Sequence, residues 1–142
     1  MLRTFVFQAI NCVFLVLSLC RPAPAADGAA IGDSLAIGFG EASHLEIHAV
    51  IGISSCRAVS LAPATHYRFV LLSAGTNDPP GRCLEALREK VDADRVEWVV
   101  PVNRARWRVI AVAEAHHDKL LFYTPDKRAW PHPASYFNVR RD

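Results

Sequence analysis

Sulfur and net charge are both scarce in this sequence. Four cysteines and one methionine occur among 142 residues. There is no CxxC pair and no Cys/His run with metal-ligand spacing, which removes zinc ribbons, zinc fingers and thioredoxin-like redox motifs. Sixteen Lys and Arg stand against fourteen Asp and Glu, a formal net charge of +2. Two of those cations, Arg3 and Arg21, belong to the N-terminal 25 residues, so the remainder is formally neutral. Bulk charge therefore supplies no case for a nucleic-acid or anionic-membrane partner. Internal repeats, low-complexity tracts and interdomain linkers are also missing, and the length suits one domain.

The one extended apolar stretch, residues 9–20, is about a dozen residues long, well short of the roughly 20 that span a bilayer. It follows a basic start at Arg3 and precedes Ala23-Pro24-Ala25, a small-residue pattern of the signal-peptidase type. The expectation is a signal peptide over 1–25, a single domain over 27–142, and a secreted or periplasmic protein with no stable membrane insertion after cleavage.

From residue 29 onward the pattern alternates between strand and helix. Strands are expected at 29–31, 45–51, 67–72, 96–100 and 120–123, the third as a nearly continuous apolar run of the kind buried on both faces. Helices are expected from Leu35, over 54–61, over 82–92, and from an Asn103 cap to His117 with Trp107, Ile110 and Val112 on its apolar stripe. A final short helix would open at His132-Pro133. Such alternation implies right-handed crossovers and an α/β three-layer sandwich around a five-stranded parallel sheet.

The stretch Ile31-Gly32-Asp33-Ser34-Leu35-Ala36-Ile37-Gly38 places a serine at the first strand-to-helix turn. There the hydroxyl is exposed at the carboxyl end of a strand. Nearby N–H groups and the helix dipole favour developing negative charge. A nucleophile and a simple helix cap both suit that position. Three further motifs follow in order: Gly52 within Ala49-Val50-Ile51-Gly52-Ile53-Ser54, Asn77 within Ser73-Ala74-Gly75-Thr76-Asn77-Asp78, and His132-Pro133. Together these four resemble the sequence blocks of the GDSL or SGNH hydrolase family across the whole chain beyond the expected signal peptide.

The resemblance implies a flavodoxin-like strand order, 2-1-3-4-5. It also implies a serine esterase acting on a small acyl ester, such as an O-acetyl group on a glycan or a short-chain lipid ester. Ser34 would be the nucleophile and His132 the base, and the oxyanion would be held by the N–H groups of Ser34 and Gly52 and the amide of Asn77. No cofactor and no metal are expected. The family places an aspartate three residues before the histidine, where this sequence has Ala129. Three arrangements are then open: Asp126 substitutes, a backbone carbonyl orients the imidazole in a Ser-His dyad, or the protein is a non-catalytic binding module that keeps the cleft. An α/β-hydrolase elbow fits less well, because Ala36 stands where its second glycine belongs.

Cys56 and Cys83 each lie a few residues beyond a family block. Export and that placement together imply a Cys56–Cys83 disulfide between loops at one sheet edge. Asp33 is expected to shape the turn around Ser34. The cluster Arg104, Arg106 and Arg108, alternating with Ala105 and Trp107, is expected to be a solvated helix face.

Overall fold

The computed structural model describes residues 27–124 and 138–141. The N-terminal segment, Asp126, Ala129, His132 and the helix expected at His132-Pro133 lie outside the described residues. In chain order the elements are β1 (Ala29–Gly32), α1 (Ser34–Ala42), β2 (Glu46–Ala49), α2 (Ser55–Leu61), β3 (Val70–Ser73), α3 (Leu84–Lys90), β4 (Val96–Val99), α4 (Arg106–Ala115), β5 (Lys119–Thr124) and β6 (Asn138–Arg141). The sheet order is β2-β1-β3-β4-β5-β6. The first five strands run parallel in the flavodoxin-like order, and β6 adds antiparallel to β5. The α/β three-layer expectation is met, with β6 as an edge strand that strand-helix alternation did not announce.

Alternation along each strand divides the core. Ala29, Ile31, Val70, Leu72, Val96 and Trp98 face α2, α3 and α4, whose Ala58, Leu84, Leu87, Val109 and Val112 close over them. Ala30, Leu71, Val99 and Leu121 face α1, which contributes Leu35, Ala36 and Phe39. Central strands buried on both faces must be apolar at consecutive positions. This is why β3 was so legible in the sequence.

Strands β2, β3 and β4 are shorter than the apolar pattern suggests, while β1 and β5 run slightly longer. Tyr67 makes only an isolated bridge to Ala93 and leaves β3 to begin at Val70. The second strand stops at Ala49 because Val50 and Ile51 turn outward into solvent. The largest correction is Trp107, expected on the buried stripe of α4 but 72% exposed. Burial on that helix belongs to Val109, Val112 and Ala113. Asn103 does cap, through Oδ1, which accepts from the Ala105 N–H at 2.9 Å, although regular helix begins only at Arg106.

At the amino edge, polar groups tie helices to strands. Asp118 accepts from Arg88 Nε at 2.6 Å and Nη2 at 3.0 Å and from Trp98 Nε1 at 3.0 Å. The buried indole and carboxylate thereby satisfy one another. His44 and His117 take the left-handed conformation just past α1 and α4, with φ of 54° and 56°. There they close the helix ends through Leu45 N–H to Gly40 O and Asp118 N–H to Ala113 O.

The Cys56–Cys83 disulfide is present, with Cα atoms 4.8 Å apart and a sequence separation of 27. It joins the start of α2 to the residue before α3. Closing a loop of that length contributes about 3 kcal/mol in the chain-entropy account. Replacing both cysteines with serine should lower the unfolding free energy by about that amount in a denaturant titration, and reductant should reproduce the loss in the wild type. Gly32 is equally constrained: a Cβ there would lie 1.7 Å from Ser73 O, at a φ of +135°. Gly32→Ala should cost about 3 kcal/mol or more, read as a collapse of the thermal transition or as insoluble expression.

Candidate active site

In an open parallel sheet the crevice beyond the carboxyl ends of the strands is where ligands bind. Gly32 pairs in register with Ala49 on one side and Ser73 on the other. The loops carrying Ser34, Gly52 and Asn77 therefore leave the sheet from three adjacent strands at the same edge. The structure brings these three candidates together, and Asp126 and His132 lie outside the described residues.

Ser34 opens α1, and the N-cap of that helix is Asp33, not the serine. Asp33 Oδ1 accepts from the Leu35 N–H at 3.0 Å and from the Ser73 hydroxyl at 2.7 Å. The Asp33 N–H donates to Ser73 O at 2.9 Å. With the cap supplied by its neighbour, the half-buried Ser34 hydroxyl has no hydrogen-bond partner among the described residues. Its N–H lies in the first turn, where helical N–H groups have no intrahelical acceptor. Asp33 thus has the structural part expected of it, and it is also the reason Ser34 need not cap.

Gly52 sits in the exposed loop after β2 with φ +75°, and a Cβ there would meet nothing within 4 Å. The glycine is thus required by backbone conformation and not by crowding. Asn77 Nδ2 donates to Ile53 O at 3.0 Å, which fixes its amide against the peptide next to Gly52 and leaves a second amide hydrogen.

Residues to which sequence reasoning gave no part in the site hold these loops in place. Asp78 accepts from the Ser55 N–H at 2.8 Å and from the Ser55 hydroxyl at 2.6 Å. The same hydroxyl oxygen accepts from the Cys83 N–H at 3.3 Å. Asn103 Nδ2 donates to Thr76 O at 2.9 Å, and Arg104 Nη2 to Pro79 O at 3.1 Å. Ser55 and Asn103 were visible only as helix-start residues. Their cross-loop bonds depend on strand order, which local pattern does not encode.

Burial controls the electrostatics. Asp33 is fully buried, and desolvation raises its carboxyl above the usual range. The Ser73 hydroxyl and Leu35 N–H oppose this, as do the Thr76 hydroxyl and Ala36 N–H. Thr76 lies near enough to bear on the carboxyl without bonding it, since Asp33 Oδ2 and Thr76 Oγ1 both lack a partner among the described residues. Tyr123, edge-on to Phe39 with ring centroids 5.9 Å apart, is pushed up to about 12 by burial and by the Asp33 charge. It remains a neutral phenol.

The other histidines are occupied away from these loops. His48 Nε2 lies 3.2 Å from the Tyr67 hydroxyl and 2.9 Å from Glu46 Oε1. His66 bridges Asp92 and Asp94 at 2.9 and 3.2 Å. His116 pairs with Glu85 at 2.5 Å, while His44 and His117 end helices. Among the described residues no group of three or more His, Cys, Asp and Glu side chains converges as metal ligands. A shallow depression of about 300 Å³ between α3 and α4, lined by Glu85, Arg108, Ala111 and Val112, shares no residue with the Ser34, Gly52 and Asn77 loops.

No family model, no curated protein and no solved structure matches the chain.

The raised Asp33 carboxyl gives a pH signature. Its proton is held more tightly in the folded state, so stability falls as pH rises from the ordinary value of 3.8 through the raised one. Asp33→Asn removes that loss and supplies a donor towards Thr76. Its melting temperature should gain on the wild type as pH rises above about 4 and hold a constant lead once Asp33 is ionised.

Proposed function

We propose that this protein is a serine esterase of the GDSL or SGNH type, exported from the cell, that hydrolyses a small acyl ester. The observation that carries the reading is the convergence of Ser34, Gly52 and Asn77 on one carboxyl edge, with the Ser34 hydroxyl relieved of capping by Asp33. Three donors, the N–H groups of Ser34 and Gly52 and the remaining amide hydrogen of Asn77, are available for an oxyanion. The disulfide is compatible with an oxidising compartment. Among the described residues no helix is long and apolar enough to cross a membrane.

Ser34 attacks the ester carbonyl, and the base takes its proton and returns it to the leaving alcohol. Of the six histidines, His48, His66 and His116 pair with carboxylates and His44 and His117 lie at the C-terminal ends of α1 and α4, away from the carboxyl edge, which leaves His132 as the imidazole for this role. Thr124 pairs in register with Asn138, so both ends of the 125–137 segment meet the carboxyl edge of β5. That strand lies three interstrand spacings from β1, about 14 Å. His132 is six residues from Asn138, a reach of about 20 Å when extended, so chain length allows it to meet Ser34. Orientation of the ring falls to Asp126 or to a backbone carbonyl. The alanine at position 129 favours a second reading, a binding module that keeps the cleft without turnover. In a serine-protease triad, loss of the orienting carboxylate costs about ten-thousandfold.

Release of p-nitrophenol from its acetate ester separates the two. Wild type should turn over, Ser34→Ala and His132→Ala should not, and Asn77→Ala should lose about 100- to 1000-fold in kcat. An electrophilic phosphonate should label wild type stoichiometrically at Ser34. Ligand binding without labelling, at a rate of hydrolysis equal to that of Ser34→Ala, would establish the binding module instead.

A further inference from the structure

Formal neutrality hides an uneven surface. Of the five large apolar side chains exposed among the described residues, four lie at the carboxyl edge: Val50 and Ile51 after β2, and Val102 and Trp107 after β4. Their exposures are 48%, 76%, 62% and 72%. Strands β2 and β4 flank β1 and β3, so these side chains stand on either side of Ser34, separated by about 14 Å. The rim after β4 is also basic, with Arg104, Arg106 and Arg108 all exposed. Two of these cations are held in place. Arg106 lies 5.6 Å from the ring centroids of both Trp107 and Phe122, and Arg104 is fastened to Pro79 O. Neither 50–53 nor 102–108 contains an acidic residue. Of the carboxylates between them, Asp33 is fully buried and Asp78 is spent on Ser55.

We infer that the 50–53 and 102–108 loops dock the protein, carboxyl edge first, onto an anionic phospholipid bilayer. Tryptophan favours the headgroup level, short aliphatic side chains enter the acyl boundary, and arginines pair with lipid phosphates. A polynucleotide would engage the arginines and Trp107 but leave Val50, Ile51 and Val102 in water. Docked in this way, Ser34 faces the lipid, which makes acyl esters of the membrane the substrate class. That last step rests on the esterase reading, whereas the docking itself does not.

Sedimentation of full-length protein with phosphatidylglycerol or phosphatidylcholine vesicles tests the surface. Protein should partition onto phosphatidylglycerol, release as salt rises, and bind phosphatidylcholine weakly. The pair Val102→Ser with Trp107→Ser, and separately Arg104→Gln with Arg106→Gln and Arg108→Gln, should each lower partitioning about tenfold or more. The apolar 9–20 segment is common to every variant, so only differences between variants report on the rim. The first pair should keep the wild-type melting temperature and rate on soluble p-nitrophenyl acetate. Partitioning unchanged in both variants, equal on the two lipids, or abolished by an equimolar single-stranded oligonucleotide would overturn the inference. Rim-dependent partitioning by a protein that hydrolyses no ester would support docking while removing the esterase reading.

Discussion

The close approach of β1 to β3 at Gly32 is the constraint on which the site depends. Because residue 32 has no Cβ, Ser73 O can come near enough to accept the Asp33 N–H at 2.9 Å. That bond brings the Asp33 carboxylate over the Ser73 hydroxyl and onto the Leu35 N–H, so one buried side chain both caps α1 and pins it to the neighbouring strand. The cost is a desolvated carboxyl with Oδ2 unpartnered among the described residues. Its consequence is a serine in the first turn of α1 whose hydroxyl has no hydrogen-bond partner among the described residues.

Around that point the loops are fixed to one another more than to the core. The disulfide, the Asp78 bonds to Ser55 and the Asn77 bond to Ile53 O join the loops after β2 and β3. Asn103 and Arg104 join the loop after β4 to them. Under the proposed esterase reading, donors held in this way would need no reorganisation when negative charge develops, the condition under which oxyanion stabilisation is strongest. The same clamps keep Trp107 and Val102 outside, because the first turn of α4 is anchored through Ala105 and Asn103 while Trp107 points away.

Polarity is thus separated along the strand direction. The amino edge is closed by paired charges, Arg88 with Asp118 and His66 with Asp92 and Asp94. The carboxyl edge offers backbone donors, exposed apolar side chains and arginines with no carboxylate partner among the described residues. A formally neutral chain can therefore present one basic and apolar end, a distinction that whole-chain charge cannot register.

Much of this was legible from local pattern. The 29–31, 70–72 and 98–100 runs are apolar at consecutive positions because both faces of those strands are covered, and alternation with helices implied the parallel three-layer sheet. The motifs at Ser34, Gly52 and Asn77 fell at strand ends, while His132-Pro133 lies outside the described residues, and Cys56 and Cys83 fell in neighbouring loops. Long-range placement was not legible. Nothing within 102–108 says that Trp107 faces solvent while Val109 is buried, since helical spacing leaves the phase of a short, mixed stripe undecided. The Asp78 to Ser55 and Asn103 to Thr76 bonds required β2, β1, β3 and β4 to stand in that spatial order. The sequence by itself determined which segments could be strands and helices and where the candidate motifs lie along them, because periodicity and turn residues act locally. Only the tertiary structure decided which loops meet, which carboxylate is buried and which tryptophan is exposed, because each depends on contacts between residues far apart in the chain.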